Sequence, residues 1–205
     1  SVLVDPSQYQ NFLEESKKGE LKESYKAKLA LEAFQHTADY DTAISNWIRD
    51  ERGLQSSKLI KSYPLIKTLR YGENPHQKAF WYGLSNMGWN SAEQLQGKDL
   101  SYNNLLDLES ALSTVLEFGY AKKDEPKTDK FASVILKHNN PCGACISNSA
   151  SQAFLNALEC DPVSAFGGIV AFNSNVDSET AIHLKDIFLE CVVAPSFDEE
   201  ALEIL

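Results

Sequence analysis

Residues 131–143 read Phe131-Ala132-Ser133-Val134-Ile135-Leu136-Lys137-His138-Asn139-Asn140-Pro141-Cys142-Gly143. The first six, apolar except for Ser133, form a run of strand length. A run without polar alternation suits a strand buried on both faces. Two more such runs follow, at 168–172 and 191–194, with helix-period stretches at 149–160 and 178–189 between the three. Strand, helix, strand, helix, strand with short links predicts an α/β layer with parallel pairing. In such sheets ligands sit beyond the carboxyl ends of the strands. That rule directs attention to Lys137 and the polar residues after it.

Upstream, residues 104–118 place Leu105, Leu108, Leu112, Val115 and Leu116 on one helix face, closed by Gly119. Residues 79–82 read as a strand. Seven of the ten residues in 121–130 are charged, with Pro126 among them, and predict an exposed loop. Nearer the start, 7–16 and 22–35 carry helix patterns, and Tyr25, Leu29 and Ala33 share a face. Asp39 or Asp41 is expected to cap a third helix running through Trp47 and Ile48. The stretch 53–68 is polar and reads as loop, so a domain boundary falls near 53–62, taken here as 1–58 and 59–205. Residues 1–4, followed by Asp5-Pro6, read as the last strand of something, and 199–205 as a helix. Together the ends predict a piece of a longer protein.

The 205 residues are 43% hydrophobic and 23% charged, with a net charge of −10 and a sequence pI of about 4.9. These values predict a globular chain and argue against a protein that grips a phosphate backbone. Apolar runs reach four residues, as at 169–172, whereas a membrane helix needs about 20. No export signal opens the chain, so Cys142, Cys145, Cys160 and Cys191 are expected as reduced thiols in the cytoplasm. Residues 151–205 hold ten acidic residues and one basic residue, Lys185. The cations for any anionic ligand must therefore come from the first 150 residues.

Lys137, His138, Asn139 and Asn140 could supply an electrophile, a base and amide partners. The same residues also read as a polar turn with no chemistry. Pro141-Cys142-Gly143-Ala144-Cys145 matches half of the zinc deaminase signature, but none of the four histidines begins the required His-x-Glu, so no metal is expected. Both thiols then read as packing residues. A second candidate, Arg70-Tyr71-Gly72-Glu73-Asn74-Pro75-His76-Gln77, offers a guanidinium for phosphate or carboxylate, or merely a surface Arg paired with Glu73. A third, Ser164-Ala165-Phe166-Gly167-Gly168, permits close backbone approach or only a tight turn. Glu190, taken alone, reads as a surface charge.

These segments, with Leu100-Ser101-Tyr102-Asn103-Asn104-Leu105-Leu106-Asp107 and Glu190-Cys191-Val192-Val193-Ala194-Pro195, resemble in order the motifs of the bifunctional purine biosynthesis enzymes. Those enzymes join AICAR transformylase to IMP cyclohydrolase. Ala33-Phe34-Gln35-His36-Thr37-Ala38-Asp39-Tyr40-Asp41 is similar to their interdomain region. Cys145 departs from the family motif, where a small residue is expected.

The resemblance implies a three-layer α/β/α, cytidine-deaminase-like transformylase subdomain without zinc, preceded by the tail of the cyclohydrolase domain. It implies formyl transfer from 10-formyltetrahydrofolate to the 5-amino group of AICAR in a cytoplasmic homodimer, with no nucleic-acid or membrane partner. His138 would be the general base and Lys137 the oxyanion partner. Arg70 and Tyr71 would hold the nucleotide, and Asn104, Phe166, Gly167 and Glu190 would line the AICAR site. The 205 residues alone are expected to be inactive. The competing expectations are a non-catalytic nucleotide-binding or assembly subunit, and one half of a split enzyme.

Overall fold

The computed structural model describes residues 1–84, 86–119 and 130–205. The loop expected across 121–130 lies outside the described residues except for Lys130. The chain divides into two compact units, Ser1–Pro64 and Leu65–Leu205.

In the first unit, α1 spans Gln8–Lys17 and α2 spans Glu23–Arg52. Leu29 is buried, with Tyr25 and Ala33 partly buried beside it, as the shared face requires. The separate third helix does not exist: α2 runs unbroken for 30 residues. No Gly or Pro interrupts it, and an exposed mid-helix Asp costs only about 0.7 kcal/mol against Ala. Asp39 and Asp41 are therefore interior residues, not caps. The helix ends where Gly53 turns left-handed, at φ 59°. Residues 1–4 form no strand; the N–H groups of Val4 and Asp5 donate instead to Gln8 Oε1, at 2.8 and 3.1 Å.

The second unit opens with β1 (Leu65–Thr68) and β2 (Phe80–Tyr82), paired antiparallel. β1 falls inside the stretch expected as loop. Its residues are almost all exposed, so no buried alternation marks it. Next comes α3, Tyr102–Leu116. It starts two residues before the expected place because Ser101 and Asn104 form a reciprocal capping box.

β3 (Phe131–Lys137) and β4 (Asn140–Ser147) form a hairpin. Then follow α4 (Ala150–Cys160), α5 (Pro162–Ala165), β5 (Gly168–Phe172), α6 (Ser178–Lys185), β6 (Leu189–Val193) and α7 (Glu199–Ile204). The sheet order is β4-β3-β5-β6. β3 runs antiparallel to both neighbours, and β5 with β6 is the parallel pair. The expectation of parallel pairing throughout is thus corrected. The unforeseen β4 adds one reversal: it carries the chain back to the start of β3, and α4 returns it to the end of β3, where β5 begins.

β4 is built from residues that disfavour strands, each with a local reason. Pro141 sits at the register shift opposite Leu136, on the outer strand of the sheet, where a missing N–H is tolerated. Gly143 lies under α4 so closely that a Cβ there would stand 1.9 Å from the Ala157 carbonyl oxygen.

Both faces of β5 are covered, which explains its unalternated sequence. Ile169 and Ala171 pack with Leu108, Ala111 and Val115 of α3. Val170 and Phe172 pack with Phe154 and Ala157 of α4, Ala181 and Leu184 of α6, and Ala201 of α7. Burying each such large side chain contributes about 1.5–3 kcal/mol. The fold is mixed α/β, as the sequence predicts.

Candidate active site

The mixed sheet brings three chain segments to one end. Leu136 near the end of β3 pairs with Ile169 at the start of β5, and Gly168 pairs with Leu189 at the start of β6. Lys137 with His138, Phe166 with Gly167, and Glu190 therefore share a rim. The sequence-based rule pointed to strand carboxyl ends. Here the carboxyl end of β3 meets the amino ends of β5 and β6.

Lys137 is the last residue of β3, and its Nζ donates to the carbonyl oxygen of Phe166 at 2.7 Å. Gly167 turns left-handed at φ 72° and donates its N–H to Phe188 O at 2.7 Å. The Phe166 and Phe188 rings pack against each other, tilted by 46° with centroids 5.5 Å apart. A Cβ on Gly167 would approach both Lys137 Nζ and the Phe188 ring at 3.9 Å. After Lys137 the backbone leaves strand geometry at once: His138 has φ 53° and Asn139 φ 60°. Neighbours on a strand point to opposite faces, and this turn releases Lys137 and His138 from that alternation. His138 is exposed, and its carbonyl accepts from Asn140 Nδ2 at 2.8 Å.

A second group assembles around Glu190. Asn104 Nδ2 donates to Glu190 Oε2 at 3.4 Å, and Arg70 Nη2 lies 3.9 Å from the same oxygen. Arg70 thus pairs with Glu190; the sequence-level alternative was Glu73. Arg70 also lies 4.9 Å from the Tyr71 ring centroid, and its Nη2 donates to the Tyr71 hydroxyl at 3.2 Å. The two backbones are stitched to the start of α3. Arg70 N–H donates to Leu100 O, and Tyr102 N–H donates to Tyr71 O. Asn103 Nδ2 reaches Glu73 O at 3.0 Å.

One residue that the sequence reading did not single out connects the groups. Asp107 follows Asn104 by three positions on α3, hence on the same helix face. Its carboxylate accepts the backbone N–H of His138 at 3.2 Å and of Asn139 at 2.9 Å. The available signal was the acid at the end of Asn104-Leu105-Leu106-Asp107.

Burial pushes the Cys191 thiol up to about 11, and Glu190 beside it acts in the same direction while Arg70 opposes it. Burial, then Asp161, raise the Cys142 thiol. Cys142 and Cys145 both pack against the Phe154 side of the sheet. Among the described residues, no three His, Cys, Asp or Glu side chains gather as a metal cage. A cleft of about 790 Å³ runs along β6 and takes in Glu190 and Phe188 but neither Lys137 nor His138. The rim offers an anchored ammonium, an exposed imidazole next to it, and a guanidinium beside a carboxylate. That set can move a proton, stabilise an oxyanion and hold an anion.

Over residues 1–205 the chain matches the sequence family described as AICARFT/IMPCHase bienzyme. It is 92% identical over 205 residues to the bifunctional purine biosynthesis protein PurH of Prochlorococcus marinus strain MIT 9301, covering 100% of this chain and 40% of the relative. The PurH proteins of strains MIT 9215 and NATL2A are 91% and 52% identical, over 100% of this chain and 40% and 39% of their own lengths. The chain thus spans about 40% of the length of these curated relatives. No helix among the described residues is long and apolar enough to cross a membrane.

Proposed function

The chain belongs to the AICARFT/IMPCHase bienzyme family, and on that premise we propose that it carries the acid–base end of the AICAR transformylase site. Residues 59–205 are the first part of the transformylase domain, a three-layer α/β/α unit of cytidine-deaminase type. Residues 1–58 are the tail of the IMP cyclohydrolase domain with its linker. Helices on both faces of β5 support the layered reading. The reaction transfers a formyl group from 10-formyltetrahydrofolate to AICAR during purine synthesis, in a cytoplasmic homodimer, without a metal.

The observation that carries the reading is the anchored ammonium of Lys137 beside the turned-out His138. The amine of AICAR is conjugated with a carboxamide and is a poor nucleophile. It attacks the formyl carbon as His138 removes its proton, and the carbonyl electrons move to oxygen. The ammonium of Lys137 has three donors and spends one on Phe166 O, so two remain for that oxyanion. Collapse re-forms the carbonyl and expels N10 of the folate, which takes up the proton. Arg70 holds the phosphate of the nucleotide, with Tyr71 stacked on its guanidinium. Asn104, Phe166, Gly167 and Glu190 line the rest of the nucleotide's place.

The test sets these 205 residues in place of the matching stretch of a full-length relative and follows AICAR-dependent formation of tetrahydrofolate. Turnover like that of the relative is expected. AICAR binding without turnover would overturn the reading in favour of a non-catalytic nucleotide-binding subunit.

A further inference from the structure

We propose that Asp107 is a positioning residue for this formyl transfer, holding the turn that presents His138 beside Lys137. The inference rests on the function proposed above and adds a residue to it.

Lys137 pairs with Asn140 across the hairpin, so the turn between them consists of His138 and Asn139 alone. Both have positive φ, 53° and 60°. Two-residue hairpin turns of this kind favour Asn-Gly, because glycine accepts the left-handed region freely. Here neither residue is glycine, and a His stands at the first position. Left-handed non-glycine residues persist only where their surroundings over-determine them.

On the two backbone N–H groups the surroundings here are one carboxylate. Asp107 Oδ2 accepts from His138 N–H at 3.2 Å and Oδ1 accepts from Asn139 N–H at 2.9 Å. Successive backbone N–H groups make a concavity suited to an anion. Each oxygen takes one of them, so the carboxylate reads both left-handed residues at once. The brace is rigid. Leu108, next to Asp107, is buried against β3 and β5, and Asn104 one turn earlier holds Glu190. Ser110 Oγ, three residues further along α3, lies 2.9 Å from the side-chain amide of Asn139. A hairpin needing only closure would do as well with Asn-Gly and no brace. A His in the left-handed region makes the direction of its imidazole conditional on Asp107.

The test uses the full-length context with Asp107→Asn, Asn139→Gly and the double variant. An amide oxygen can replace one acceptor, but the amide nitrogen cannot accept from the second N–H. Asp107→Asn should lower kcat about 10–100-fold, as expected for a misplaced catalytic group. The KM for AICAR should stay within about threefold, because Arg70 and Tyr71 lie on another segment. Asn139→Gly gives up the Ser110 contact and serves as the reference for the double variant. In the double variant glycine holds the turn by itself, so at least about tenfold of the lost kcat should return. If Asp107→Asn fails to fold, the double variant against Asn139→Gly carries the comparison. An unchanged kcat in folded Asp107→Asn, while His138→Ala is impaired, would overturn the role of Asp107 and leave the proposed function standing. Restored thermal stability without restored kcat in the double variant would also overturn it, as the mark of a merely structural brace. An unimpaired His138→Ala would instead overturn the function on which the inference rests.

Discussion

Lys137 and Phe166, 29 residues apart in the chain, are joined by a 2.7 Å hydrogen bond from the ammonium to the backbone carbonyl. The bond ties the last residue of β3 to the segment entering β5. It also fixes a flexible four-carbon side chain at one place on the rim. Lys137→Met keeps the stem and removes the charge. In the full-length context it should lower kcat by about 10²–10³-fold, as loss of an oxyanion donor does. Its KM for AICAR should stay within about threefold. Steady-state kinetics on both substrates checks this, and an effect confined to KM would assign Lys137 to binding instead.

Arg70 faces Glu190 at 3.9 Å with both side chains about a third exposed, 32% and 38%. An ion pair so placed contributes about 0–1 kcal/mol to stability. A charge-assisted contact to a phosphate is worth about 1.5–3 kcal/mol. Arg70→Ala should therefore raise the Kd for AICAR about 10–150-fold while the urea midpoint scarcely moves. Calorimetric titration and urea unfolding separate the two effects. Unchanged AICAR affinity would remove Arg70 from the site.

Gly143 is set by packing: an added Cβ would meet Ala157 O at 1.9 Å and Ala157 C at 2.8 Å, both backbone atoms that cannot turn aside. Gly143→Ala should cost about 3 kcal/mol, at the upper end of overpacking penalties. Urea unfolding of the chain measures it. A cost under about 0.5 kcal/mol, the level of an ordinary surface change, would mean that α4 does not press on β4 this closely.

The Cys191 thiol, pushed up to about 11 by burial and by Glu190, keeps its proton in the folded chain at pH values where the unfolded chain, near 9, gives it up. Between those values the unfolded state binds fewer protons, so stability falls as pH rises from 9 toward 11. Cys191→Ala should flatten that fall. At pH 8 a thiol reagent should modify exposed Cys160 first and Cys191 last. Rapid modification of Cys191 in the folded chain would contradict the burial argument.

The strands β3 and β5 were legible because their apolar runs are buried on both sides, and α4 because Ser149 caps it where the periodicity begins. β4 was not. Asn140, Pro141 and Gly143 each argue for a turn, and what makes them a strand is pairing with β3 and the pressure of α4. Because β4 reverses the chain once more, the antiparallel pairing of β3 with β5 has no local signal either. Asp39 and Asp41 looked like caps because a local rule cannot see that nothing before them stops the helix. At the rim, Glu190 carries no local signal. Its partner Asn104 is 86 residues away, so only the fold brings out the connection. Asp107 likewise carries no local signal of its role, since it serves backbone groups on another element.

The central claim is that Lys137 and His138 act on substrate at this rim and do more than shape a turn. The most direct measurement is the turnover number of His138→Ala in the full-length context, taken beside its AICAR binding constant. A loss of about 10²–10⁴-fold in turnover is expected, the usual worth of a positioned general base, with AICAR binding nearly intact. Turnover within about threefold of wild type in a folded His138→Ala protein would contradict it.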